Sequence, residues 1–270
     1  MKRFFVTGAA SGIGRALVSA LSARGARVLA TDVTQDGLAE ARAAERWSDS
    51  TVMTSYLDVT SERDWETALD EAEARFGGVD VLCNVAGVLV PGFVTDLSAA
   101  ACDKQLAVNV KGTVLGTSAM ARRLIQAKNP GHIVNFGSLA SLSPVPGLSL
   151  YCASKWAVRG FSLSVAVELA EHGIGVSLVC PDAVETPMLD IQKDRPEAAL
   201  TFSGSRPLTV AEVVAVVLDQ VVPNRPLEVS IPVSRGLLAR AGGVAPAIAQ
   251  KLYPMLKKKG LDGQKRATKA

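Results

Sequence analysis

Tyr151 and Lys155 stand four residues apart in the run Tyr-Cys-Ala-Ser-Lys, and Ser138 lies thirteen residues before the tyrosine. On a helix, side chains at i and i+4 share a face, so the phenol and the ammonium would project into one space. A phenol ionises near pH 10 and is a poor base at neutrality, but a fixed cation beside it favours the phenolate. Reaching pH 7 takes about three units, roughly 4 kcal/mol of differential stabilisation. One half-buried ammonium supplies part of that, and a second positive charge, such as an oxidised nicotinamide ring, would supply the rest. The expected chemistry is hydride exchange at an alcohol or a carbonyl.

Such a pair needs a frame, and the chain supplies the pattern of one. Short apolar runs rich in Val, Ile and Leu alternate with longer amphipathic stretches, as in repeated βαβ units over a sheet buried on both faces. Strands are predicted at 3–6, 27–31, 51–56, 79–83, 132–137, 175–179 and 227–231. Helices are predicted at 13–24, 35–46, 61–76, 97–128 (two in sequence), 150–172 and 210–221. Ser61 with Asp64 three residues later reads as a capping pair for the third helix. Right-handed crossovers then give an α/β fold, a doubly wound parallel sheet of about seven strands in one domain. Between the first strand and first helix runs Thr7-Gly8-Ala9-Ala10-Ser11-Gly12-Ile13-Gly14. A glycine turn there lets backbone approach a pyrophosphate, whose charge meets the helix N-terminus. Asp32, eighteen residues after Gly14, closes the second strand. Its carboxylate suits the adenosine ribose hydroxyls and repels a 2′-phosphate, and neither Ser11 nor Val33 is basic. The expected cofactor is NAD rather than NADP.

Taken together, these residues resemble the short-chain dehydrogenase/reductase family in its single-domain branch, over roughly residues 3–231. The resemblance implies a Rossmann-type sheet and assigns Gly8, Ser11, Gly12, Ile13 and Gly14 to the phosphate loop and Asp32 to ribose selection. It assigns Asp58 and Val59 to the adenine. Asn84, Ala86 and Gly87 correspond to the family's Asn-Asn-Ala-Gly after strand 4, with Val85 replacing the second asparagine. Asn109 corresponds to the asparagine of a proton relay, where it would hold a water leading from Lys155 to solvent. Ser138, Tyr151 and Lys155 correspond to the catalytic set: Ser138 would hold the reacting oxygen, Tyr151 would exchange the proton, and Lys155 would also bind the nicotinamide ribose. Pro181, Val184 and Thr186 correspond to the segment that meets the nicotinamide amide. Asp182 replaces the glycine that commonly follows Pro181, and its side chain is expected to turn to solvent.

Composition narrows the field further. The 270 residues are 48% hydrophobic and 20% charged, enough for one substantial core. No run approaches the length of a spanning helix, and the basic start Met1-Lys2-Arg3 leads directly into a strand, so a cytoplasmic protein is expected. Cys83, Cys102, Cys152 and Cys180 lack disulfide-framework or zinc spacing, and His132 and His172 are expected to be structural or superficial. Residues 251–270 carry seven Lys/Arg against Asp262, a net +6, which leaves −3 for the first 250 residues of a chain whose total is +3. The basic character belongs to the tail, and nucleic-acid binding by the domain is not indicated.

Residues 187–206 read as an irregular flap. The chain divides into a dinucleotide-binding and catalytic domain, 1–232, and a C-terminal extension, 233–270. In the extension Val244, Ile248 and Leu252 recur at helical spacing, with a break expected near Pro254. It would cover the substrate cleft or a partner subunit; a membrane-surface contact through this stripe and Lys257–Lys259 is the alternative, with the last few residues disordered. Val88, Leu89, Phe93, Leu139, Leu142, Val145, Leu148, Met188 and Leu189 are expected to line a pocket for a lipophilic secondary alcohol or ketone. A homodimer or homotetramer is expected. Two rivals remain: an NADPH-driven ketone or oxoacyl reductase, and a non-catalytic nucleotide-sensing or scaffold module.

Overall fold

The structure, a computed structural model, describes residues 2–269. Seven parallel strands form one sheet in the order β3-β2-β1-β4-β5-β6-β7. They are β1 Arg3–Thr7, β2 Arg27–Asp32, β3 Val52–Tyr56, β4 Val81–Asn84, β5 Gly131–Phe136, β6 Ile174–Pro181 and β7 Glu228–Ile231. All seven predicted strands are present, displaced by at most a few residues at their ends. Phe4, Val6, Val28 and Ala30 face one apolar layer, and Phe5, Leu29 and Leu82 the other. This is the period-two alternation of strands covered on both sides.

The first layer is built with α1 Gly12–Ala23 and α2 Gln35–Glu45, the second with α3 Glu62–Phe76. Ser61 caps α3: its Oγ accepts from Asp64 N at 3.2 Å and donates to Asp64 Oδ1 at 2.9 Å. The predicted pair of helices at 97–128 is a single rod. Here α4 Ala99–Leu106 passes into α5 Gly112–Gln126 through a wide π turn at Ala107–Lys111. The next helix, α6 Ser149–Ala170, carries Tyr151 and Lys155.

The strand order reverses at β1, whose neighbours are β2 and β4. A crevice opens beyond the carboxyl ends of such neighbours, the usual ligand position in open α/β sheets.

The predicted flap is more ordered than its sequence suggests. It holds α7 Pro187–Asp190 and a 3-10 turn at Pro196–Phe202, with Ala198, Ala199 and Phe202 buried. After it come α8 Val210–Val216, α9 Val222–Asn224, α10 Val233–Val244 and α11 Pro246–Lys269. The expected break at Pro254 does not occur, and the expected terminal disorder does not reach Lys269; Ala270 lies outside the described residues. Proline removes one backbone donor from a helix interior, but packing on the far side holds α11 together. A Cβ on Gly260 would overlap the Ala199 carbonyl, and one on Gly263 the Phe202 carbonyl, so the helix lies directly on the flap. Gln264 Nε2 donates to Gln192 O at 3.0 Å and to Arg195 O at 2.7 Å.

Candidate active site

At the β1 crevice, Gly8 and Gly12 have φ of +69° and +52°, left-handed values that favour glycine. A Cβ on Gly14 would overlap the Gly8 carbonyl oxygen, and one on Gly8 would stand 3.0 Å from Ala86 Cα. The first turn of α1 has no side-chain cap and no acidic residue. Its free N–H groups and positive dipole end therefore suit a pyrophosphate. Thr186 closes the loop from the other side, its Cγ2 3.2 Å from where a Gly12 Cβ would be. Its partner residue in the segment, Val184, is fixed by a parallel bridge to Leu208.

Asp32 braces the loop. Its Oδ2 accepts from Ala10 N at 3.1 Å, and its Oδ1 accepts from Thr34 N at 3.0 Å and Thr34 Oγ1 at 2.7 Å. It borders a trough with Ser11, Val33, Asp36, Gly37 and Tyr56, and no Lys or Arg lines that trough. These features fit a dinucleotide by shape and by charge.

Asp58 and Val59, expected at the adenine, follow β3. Asp58 Oδ1 accepts from Thr60 N and Thr60 Oγ1, both at 2.8 Å, which folds the turn before α3. Val59 packs against Gly112, and its carbonyl accepts from Trp65 Nε1 at 2.9 Å. Asn84, expected at the cofactor, ties the sheet through its side chain: its Nδ2 donates to Asn135 Oδ1 at 2.9 Å and Thr117 Oγ1 at 3.3 Å. Val85 needs no amide of its own, because Thr7 Oγ1 accepts from both Val85 N and Ala86 N at 3.0 Å.

Tyr151 and Lys155 share one face of α6, with the ammonium 5.7 Å from the phenol ring centroid. Lys155 Nζ also donates to Phe136 O at 2.8 Å. Ser138 sits in extended backbone just past β5 and caps a 3-10 turn, its Oγ accepting from Ala140 N at 3.1 Å.

The electrostatics differ from the expectation in one respect. Burial pushes the Tyr151 phenol above its ordinary value, and the hydrogen bond from Ser138 only partly opposes this. Burial also lowers Lys155 to about 8. In the protein alone, desolvation is the largest influence on the phenol and holds it neutral.

Asn109, expected to hold a water, has its side chain fixed by backbone and by Ser154. Its Oδ1 accepts from Val88 N at 2.8 Å, and its Nδ2 donates to Val88 O at 2.9 Å and Ser154 Oγ at 3.0 Å. The π turn frees the Asn109 carbonyl from the regular ladder, and Thr113 Oγ1 donates to it at 2.8 Å. Asn109 thus clamps the loop at Gly87, where a Cβ would meet Asn109 Oδ1 at 3.4 Å and Lys155 Nζ at 3.7 Å.

A cavity of about 650 Å³ joins these parts. Ile13, Gly87, Ser138, Tyr151, Lys155 and Pro181 line its inner end, and its walls are mostly apolar. Of the expected substrate residues, Leu89, Leu139, Val145, Leu148, Met188 and Leu189 face it. Leu142 belongs to the core beside β6, and Phe93 stands out to solvent below Lys257. The outer wall comes from α10 and α11 through Leu238, Ile248, Leu252 and Met255, of which only the helical spacing at Ile248 and Leu252 gave a signal.

Asp182 does not turn to solvent. Its Oδ2 accepts from Arg235 Nε at 2.7 Å, and both residues line the cavity. The pair pins α10 to the segment following β6. His132 is buried against Ser177, 2.8 Å from its Oγ, and burial lowers it to about 4, in keeping with a structural role. Among the described residues there is no cluster of metal-binding side chains, and no helix is long and apolar enough to cross a membrane.

Fold, glycine loop and Ser-Tyr-Lys cluster together define a dinucleotide-dependent oxidoreductase. Residues 2–197 match the family model described as short chain dehydrogenase. The chain is 39% identical over 197 residues to 2-(R)-hydroxypropyl-CoM dehydrogenase of Xanthobacter autotrophicus, covering 71% of this chain and 78% of that one. It is 38% identical over 182 residues to D-threitol dehydrogenase of Mycolicibacterium smegmatis, covering 67% and 69%. A short-chain dehydrogenase/reductase of Burkholderia phymatum, solved in complex with NAD, superposes with a TM-score of 0.82 at 26% identity over 92% of this chain and 95% of that chain. The chain belongs to the short-chain dehydrogenase/reductase family. It is an oxidoreductase that interconverts an alcohol and a ketone with a nicotinamide cofactor.

Proposed function

We propose that this enzyme oxidises and reduces a lipophilic secondary alcohol/ketone pair and uses NAD in preference to NADP. The observation that carries the reading is the Ser138–Tyr151–Lys155 cluster, its tyrosine and lysine buried, in the wall of a mostly apolar cavity. An apolar wall favours an apolar substrate body, and the few convergent polar groups orient its one oxygen.

Gly8, Ser11, Gly12, Ile13 and Gly14 would hold the pyrophosphate, Asp32 the adenosine ribose, Asp58 and Val59 the adenine, and Ala86, Gly87, Lys155, Pro181, Val184 and Thr186 the nicotinamide end. The cofactor supplies the two-electron chemistry when bound, and its ring charge adds to that of Lys155. Ser138 donates a hydrogen bond to the substrate oxygen and keeps it within reach of Tyr151. Tyr151 takes the hydroxyl proton in oxidation and returns it in reduction. Lys155, close to the phenol and near neutrality in its own pKa, favours the deprotonated state of Tyr151. Asn109 holds the Gly87–Val88 backbone against this centre as a positioning residue.

The Asp32–Asp36 trough supports NAD, since two carboxylates and no cation disfavour a 2′-phosphate. Asp32→Ala should erode the preference at least tenfold, read as the ratio of kcat/KM for the two dinucleotides against a panel of secondary alcohols of graded size. A wild type already faster with NADPH would overturn the cofactor assignment and favour the reductase reading. Dinucleotide binding without turnover across the panel would favour a sensing module. Residues 1–232 form the catalytic unit in this proposal and 233–270 its outer wall. The enzyme acts in the cytoplasm as a homodimer or homotetramer.

A further inference from the structure

Among the described residues, exposed apolar side chains concentrate on the outer wall of the cavity. Seven of the seventeen large hydrophobic side chains that stand exposed among the described residues fall between Val233 and Met255. Leu237, Val244 and Met255 are 61%, 87% and 63% exposed. Leu238, Ile248, Leu252 and Met255 are exposed and at the same time line the catalytic cavity, so patch and mouth are one surface. Concentrated apolar exposure of this kind marks a contact surface rather than ordinary scatter.

The charges beside it narrow what the contact is. Lys251, Met255 and Lys258 follow one another at i, i+4 and i+7 along the exposed side of α11, with Ile248, Leu252 and Lys259 one row away. Among the described residues, Lys251, Lys258, Lys259, Lys265 and Arg266 make no salt bridge to any carboxylate. Residues 251–270 hold +6 and the rest of the chain −3. A second copy brought to this face would oppose two such tails and be repelled. An anionic surface would be attracted, and the charge asymmetry would turn this face toward it. Apolar side chains interleaved with flexible lysines are the composition of a helix lying in a bilayer interface.

We propose that α10 and α11 dock the protein peripherally on an anionic lipid bilayer, with the mouth of the catalytic cavity facing the acyl region. Leu237, Val244 and Met255 enter the interface, and Lys251, Lys258 and Lys259 reach the headgroups. The further consequence, that the substrate is drawn from the bilayer, rests on the lipophilic-alcohol reading above; the docking does not.

The test is co-sedimentation of the full chain with phosphatidylcholine vesicles made with and without phosphatidylglycerol. Wild type should pellet with the anionic vesicles only and be released by high salt. The triple variant Lys251→Glu/Lys258→Glu/Lys259→Glu should partition at least about 100-fold more weakly, since each lysine near an anionic surface contributes roughly a fivefold factor. Leu237→Ser/Val244→Ser should weaken binding while dinucleotide binding stays unchanged. Failure to pellet, equal pelleting with both vesicles, or wild-type binding by the triple variant would overturn the proposal. So would a shift of Leu237→Ser/Val244→Ser from dimer to monomer in sedimentation velocity, since a second copy would then cover the face. Vesicle binding is read without substrate, so its failure leaves the dehydrogenase reading intact, and loss of turnover leaves the docking intact.

Discussion

Tyr151→Phe should fold, bind dinucleotide as tightly as wild type, and lose turnover by about 10³-fold, within the range for removing a positioned proton acceptor. The substitution deletes one oxygen from a ring that is only 8% exposed and packed with Leu89, Leu148 and Ala198, so the surrounding shape is kept. Ser138 and Lys155 remain, yet neither replaces the phenol. Ser138 is a neutral hydroxyl fixed at a turn, and Lys155 is committed to the Phe136 carbonyl. Steady-state rates with a secondary alcohol, alongside dinucleotide titration, separate the two effects. Retained turnover would remove Tyr151 from the mechanism.

Lys155→Met should cost activity and add stability. The ammonium is 5% exposed, and burial lowers it from 10.5 to about 8. A depression of that size corresponds to about 3 kcal/mol against the charged form. Losing the hydrogen bond to Phe136 O offsets about 1 kcal/mol. The cofactor-free variant should then be more stable than wild type by on the order of 2 kcal/mol at pH 7. The folded pKa lies below the unfolded one, so between pH 8 and 10.5 the unfolded chain binds more protons. Wild type therefore recovers stability as pH rises through that window. The variant's advantage is full below pH 8 and fades toward 10.5. Denaturant unfolding of both proteins across that range reads the difference, and turnover should fall by on the order of 10²-fold or more. A variant less stable than wild type at pH 7 would show that Lys155 is a net stabiliser of the fold. Strain between stability and function is expected where a site holds a charge out of water.

Much of this frame is legible in the sequence because the governing signals are local. Each strand is a short Val/Ile/Leu run, the glycine loop needs Gly8 and Gly12 at positive φ, and Tyr151 and Lys155 lie one helical turn apart. The hidden parts depend on residues far apart in the chain. Asp182 meets Arg235 across 53 positions, and α11 survives Pro254 because Gly260 and Gly263 let it lie on the flap. Asn84 meets Asn135 across 51 positions. The sign of the Tyr151 shift was also out of reach, since spacing fixes which face a side chain takes but not how thoroughly the site is dried. Desolvation is the largest influence on that phenol.

That sign is the central claim: the phenol is held neutral by burial in the protein alone and yields its proton only when a second positive charge arrives. The chain has three tyrosines, Tyr56, Tyr151 and Tyr253. Tyrosinate absorbance can therefore be followed for Tyr151 alone in a Tyr56→Phe/Tyr253→Phe background. Without dinucleotide the absorbance should appear only above the ordinary value near 10, and with saturating NAD its midpoint should move down by several units toward neutrality. A midpoint at or below 10 without dinucleotide, or one that NAD leaves unmoved, would contradict the account.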